Sequence, residues 1–208
     1  GSASTGGCNV VIGYNAGEAI EDGDNNFISG YDSGKNLKSG EVNLIIGAAA
    51  GMYLLCHNNI FLGGCAGRCQ CTGNHNIALG NLSLQGSSTQ SNNTGSCNVA
   101  LGKNSGCSVT SGCGNVLVGE GSGHDITTGK HNVVVGSTSH VAASGVGDCQ
   151  LSMGFGSTYW IRGNDTGTVC LANTTAIKAI TSGGIFCATE FVGGGAGLTG
   201  LAGFAPDA

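Results

Sequence analysis

The chain has 208 residues and a formal net charge of −5, and only 9% of its residues are charged. Forty-one glycines against one proline, with no glycine at every third position, exclude collagen, and an apolar share of 40% excludes a disordered chain. Cations this sparse supply no phosphate-binding patch, so nucleic acid is excluded as a partner. No apolar run approaches the roughly 20 residues of a membrane-spanning helix, so no membrane insertion is expected.

In chain order, residues 1–8 read as a lead-in, and the first repeat opens at Asn9-Val10-Val11-Ile12-Gly13. The same phrase, an asparagine, three mostly apolar residues and a glycine, recurs along the chain. Its asparagines are Asn9, Asn26, Asn43, Asn59, Asn76, Asn98, Asn115 and Asn132. Its closing glycines are Gly13, Gly30, Gly47, Gly63, Gly80, Gly102, Gly119 and Gly136, spaced by 17, 17, 16, 17, 22, 17 and 17 residues. A second glycine stands four residues further on in six of the repeats, at Gly17, Gly34, Gly51, Gly67, Gly106 and Gly123. Three residues after it comes an apolar residue (Ile20, Leu37, Leu54, Val109, Ile126), with Gln70 the exception. A repeat this short cannot bury its own apolar face and must stack on its neighbours. Two apolar segments and two glycine turns per period predict a chain that runs out, back and one step along. The expected fold is all-β: a parallel β-solenoid or β-roll of about 17-residue rungs, eight of them over 9–140.

The short period loses its residue near Cys56 and His57, and the long one gains five within the polar stretch 85–94. Insertions in solenoids lie on an outer loop face, which is often the binding face. After 140 the register decays. Gln150-Leu151-Ser152-Met153-Gly154 is a degenerate copy, and short strands are expected at 159–164, 169–171 and 185–192. Residues 141–208 are thus read as a degenerate rung followed by a capping or junction β module.

Side chains alternate along a strand, so the second apolar residue of each phrase faces away from the first and third. The second-position column runs from Val11 to Val134, and the third from Ile12 to Val135. Both faces are apolar in nearly every rung, the pattern of a strand buried on both sides. One roll covers only one of those faces, so a second chain is expected against the other, and closed three-fold symmetry supplies it. Eight rungs at about 4.8 Å give a rod section of roughly 38 Å. The asparagine column is expected to stack as an amide ladder from rung to rung.

The sequence carries little chemistry. Its twelve acidic residues are scattered without the spacing of a paired acid and base, and no nucleophile-elbow phrase occurs, so no enzymatic activity and no cofactor are expected. Cys65, Cys69, Cys71 and His75 lie close in sequence, but not at the spacing of a zinc ribbon or finger, and read as interior or polar positions. Asp22-Gly23-Asp24 lacks the repeated phrase of calcium rolls. The eleven cysteines are an odd number and read mainly as reduced, small apolar residues, which implies assembly in a reducing compartment.

These Asn-φ-φ-φ-Gly-x-x-x-Gly repeats resemble the head repeats of trimeric autotransporter adhesins and related repeats of bacteriophage tail fibres. The segment Phe191-Val192-Gly193-Gly194-Gly195-Ala196-Gly197-Leu198-Thr199-Gly200-Leu201 is similar to one recurrent in tail-fibre proteins of marine, cyanobacteria-infecting phages. The resemblance implies a homotrimeric fibre assembled in the host cytoplasm and carried on the virion. Implied partners are the chain itself, other fibre or baseplate proteins, and a host-surface glycan or outer-membrane protein. The alternative is a bacterial trimeric adhesin head that binds a host or neighbouring cell. The cysteine content departs from autotransporter heads, which pass through an oxidising periplasm, and so favours the phage reading.

Overall fold

In the computed structural model the chain divides into two compact units, 1–176 and 177–208. The structure describes residues 6–137, 145–156, 158–167 and 169–171, all within the first. The tail-fibre-like segment 191–201 and the strand expected at 185–192 lie outside the described residues.

The described residues form a parallel β-solenoid. Each repeat contributes one three-residue strand: β1 (Val10–Ile12), β2 (Phe27–Ser29), β3 (Leu44–Ile46), β4 (Ile60–Leu62), β5 (Ile77–Leu79), β6 (Val99–Leu101), β7 (Val116–Val118) and β8 (Val133–Val135). Each pairs in parallel with the next, in the register of the repeat, so that Val11 lies against Ile28 and Ile28 against Ile45. The degenerate copy is the ninth strand of the column, β9 (Leu151–Phe155), parallel to β8. There the direction changes: β10 (Thr158–Gly163) pairs antiparallel with β9, and β11 (Val169–Leu171) antiparallel with β10. The inward position of the ninth rung is Ser152, buried with its hydroxyl unpartnered, so the aliphatic column ends where the parallel stack does.

The second apolar segment of each period is not a strand. Asn15 (φ 50°) and Gly17 (φ 56°) put two left-handed residues within three positions, and extended backbone does not survive there. The return path is instead a run of turns, with Ala16 N–H donating to Gly13 C=O and Ile20 N–H to Gly17 C=O. It is still tied rung to rung: Gly17 N–H donates to Ser33 C=O at 2.9 Å, and Ala19 N–H to Lys35 C=O at 3.0 Å.

The core is a narrow seam between two columns. From the strands come Ile28, Ile45, Phe61, Ala78, Ala100, Leu117 and Val134; from the return path come Leu37, Leu54, Leu84, Val109 and Ile126; all are fully buried. Large residues face small ones. Phe61 lies against Ala78 in the register, and a Cβ on Gly67 would stand 2.4 Å from the Phe61 ring. Leu84 enters the core in the rung whose inward strand residue is Ala78, one before that of Ala100. A third buried column holds Ser33, Ala50, Ala66, Ser83, Ser105 and Ser122. Its serines donate to strand carbonyls of the following rung, as Ser122 does to Val134 C=O at 2.9 Å.

Candidate functional site

The asparagine column lies at the entry to each strand and is buried from Asn26 to Asn132. The Asn98 Oδ1 accepts from the Asn115 backbone N–H at 3.0 Å and from its Nδ2 at 2.9 Å, while Asn98 Nδ2 donates to Gly112 C=O at 2.9 Å. The same bonds join Asn9, Asn26 and Asn43. Asn59, Asn76 and Asn132 continue the backbone link, and Gln150 N–H closes it on Asn132 Oδ1 at 2.8 Å. In the short rung Asn43 Nδ2 donates to Cys56 C=O at 2.8 Å, thirteen residues on where Asn26 and Asn98 reach fourteen, and Asn59 Nδ2 donates to His57 C=O close by in the chain. The strand-closing glycines, from Gly13 to Gly136, form a second column at φ of 124–136°.

The cysteine and histidine cluster does not come together as a metal centre. Among the described residues no group of three or more His, Cys, Asp or Glu is placed to hold a metal ion. Cys69 is buried, while Cys65 and Cys71 are half-buried. Burial pushes the Cys56 and Cys69 thiols above the ordinary value; at Cys56 the neighbouring Cys71 adds to it, and at Cys69 the charge of Arg68 opposes it. Exposed charges pair between equivalent positions of successive rungs, as Lys38 with Glu21 at 3.7 Å and Lys103 with Glu120 at 3.4 Å. Such exposed pairs each contribute little to stability.

An apolar stripe runs along the surface of the described residues. The first and third residues of each strand from β1 to β9 point away from the core, and none of them is fully buried. Over eight rungs these outward positions are Val, Ile, Leu or Phe throughout, apart from Ser29. Ile46 and Phe27 are each 39% exposed, and Val116 and Val133 37%. The stripe is two residues wide, about 7 Å, and about 38 Å long. Beside its first rungs Tyr14 and Tyr31 stack in parallel with ring centroids 5.4 Å apart, both exposed. The sequence showed two apolar strand faces; the structure shows that one chain covers only the inner one.

The inserted stretch forms a second feature. It contains a short 3-10 turn, Gln90–Asn92, and is pinned by the fully buried Asn93. Asn93 Nδ2 donates to Cys69 C=O at 2.9 Å and to Ser87 C=O at 2.6 Å, and its Oδ1 accepts from Ser87 N–H at 3.0 Å. Gln70, the polar exception in the return column, donates from Nε2 to Leu84 C=O at 3.1 Å. Its place in an apolar column thus answers the backbone of the rung that carries the insertion. Asn93 was missed from sequence, because one asparagine in a polar run carries no periodic signal.

Comparison with protein-family models, curated proteins and solved structures finds no match to this chain.

Proposed function

We propose that this chain is a structural segment of a homotrimeric fibre in a virion appendage of the phage tail-fibre kind. In it the solenoid is a stiff rod that presents a host-binding element. The observation that carries the reading is the continuous outward apolar stripe, which a single chain leaves partly exposed along its whole parallel stack. A patch of this length on a free monomer invites uncontrolled association, and closed symmetry removes it. The amide ladder and close glycine stacking suit a part that bears load along its axis. The raised Cys56 and Cys69 thiols fit cysteines used as small apolar residues, in keeping with assembly in a reducing cytoplasm. The reading includes no catalytic role.

Solution mass by light scattering, with and without reductant, tests it. A mass near three times the 20.4 kDa chain in both conditions is expected. A monodisperse monomer overturns it.

A further inference from the structure

A cavity of about 340 Å³ opens beside the one lengthened rung. Tyr53, Arg68 and Cys69 line it from the two preceding rungs, and Gln85, Gly86, Ser88 and Gln90 line it from the insertion. Asn93 and Gln70 hold that insertion from inside through buried hydrogen bonds, so the lining has a defined shape.

Arg68 sets the chemistry. Its Nε is shut off from solvent without a hydrogen-bond partner, and among the described residues no carboxylate pairs with its guanidinium. Four of the five other described cations are engaged: Lys35, Lys38 and Lys103 pair with carboxylates, and Arg162 lies over the Tyr159 ring. Arg68 is half-buried and lines the cavity, so a guanidinium without a partner among the described residues stands ready to take a ligand oxyanion, and its enclosed Nε–H lacks an acceptor.

We propose that this cavity binds an acidic sugar through its carboxylate. The planar guanidinium fork matches a carboxylate with two parallel bonds. Gln85, Ser88 and Gln90 are neutral groups that both donate and accept, which suits the hydroxyls of a sugar ring. The lining brings no second cation, as a doubly charged phosphate would favour. Tyr53 supplies a ring whose apolar face packs against the C–H face of a pyranose while its hydroxyl stays polar. The volume lies at the lower end of small-molecule sites, enough for about one sugar unit. The inference rests on the fibre reading only for the source of the sugar, a host-surface glycan.

The test is calorimetric titration of the full chain at low salt with D-glucuronate, D-galacturonate and N-acetylneuraminate, alongside D-glucose and inorganic phosphate. At least one acidic sugar should bind saturably, about tenfold or more tighter than glucose and phosphate. Arg68→Gln should weaken it about tenfold or more, while Lys38→Gln, on the remote surface, leaves it unchanged. If Arg68→Gln fails to fold by circular dichroism, Ser88→Ala and Gln90→Ala in the loop should each weaken binding severalfold. Absence of saturable binding by all three acidic sugars, up to about 20 mM, overturns the proposal. Phosphate binding as tight as the best acidic sugar also overturns it. A trimer that binds no sugar removes this inference and leaves the fibre standing; a monomer that binds one does the reverse.

Discussion

Gly102 stands at φ +132°, and a Cβ there would lie 2.5 Å from the Gly119 carbonyl oxygen of the next rung. Both the backbone angle and the close approach demand glycine, so Gly102→Ala should destabilise the solenoid by about 3 kcal/mol or more in denaturant unfolding. Val42 is the opposite case. It holds φ 56° with a β-branched, exposed side chain, where Asn25 and Asn58 occupy the equivalent position in neighbouring rungs. Val42→Asn should therefore stabilise the protein by about 1 kcal/mol, seen as a higher melting temperature. The thiols make a pH prediction. Cys56 and Cys69 have folded values raised above the ordinary 9.0 by burial, so the folded state favours their neutral form. Their contribution is fully present below the ordinary thiol value and is lost as pH rises through the raised one. Mass spectrometry after brief alkylation at pH 8 should find Cys8, Cys97 and Cys149, which are exposed, modified well before Cys56 and Cys69. Equal labelling of both groups would contradict the burial.

The ladder and the return path act as elements, and they differ in how legible they were. In the ladder each asparagine serves two rungs. Asn98→Ala would strand the Asn115 N–H and the Gly112 carbonyl inside the stack, at a cost of about 2–5 kcal/mol, whereas Asn81→Ala on the surface should cost under about 0.5 kcal/mol. Urea unfolding of the two variants compares them directly; similar midpoints would mean that the buried amides are replaceable. The strand phrase could be read from sequence because its constraints are one-letter constraints: a side-chain amide at the ladder, no side chain at the close approach. The return path could not be read as turns, because much of its geometry sits on residues without a shared identity. Asn15, Asp32, Ala49, Cys65, Leu82, Asn104 and Gly121 all take positive φ two residues after the strand-closing glycine, and no common side chain marks them. The cavity beside the insertion was hidden for a related reason. Tyr53, Arg68 and Gln90 lie far apart in the chain and meet only because rungs stack in register.

For the whole molecule the decisive contrast is between the two faces of one strand. Ala100 faces the seam and is fully buried, while Leu101, the next residue, faces outward and is only partly covered. A charge at Ala100 would be desolvated inside the solenoid and should unfold it, as Ala100→Asp would show by loss of the β spectrum in circular dichroism. A charge at Leu101 has a way out to water in a lone chain and none in a packed trimer. Leu101→Lys, alone or with Leu62→Lys four rungs into the stack, should therefore keep the β spectrum and lower the solution mass from three chains to one. The same variants separate the explanations of the stripe. If the mass falls while the spectrum holds, the outward columns are the contact between chains. If the spectrum collapses along with the mass, each chain depends on its partners to fold, and the solenoid is an obligate part of the assembly. If neither changes, the outward columns touch nothing, and the fibre reading loses the observation on which it stands.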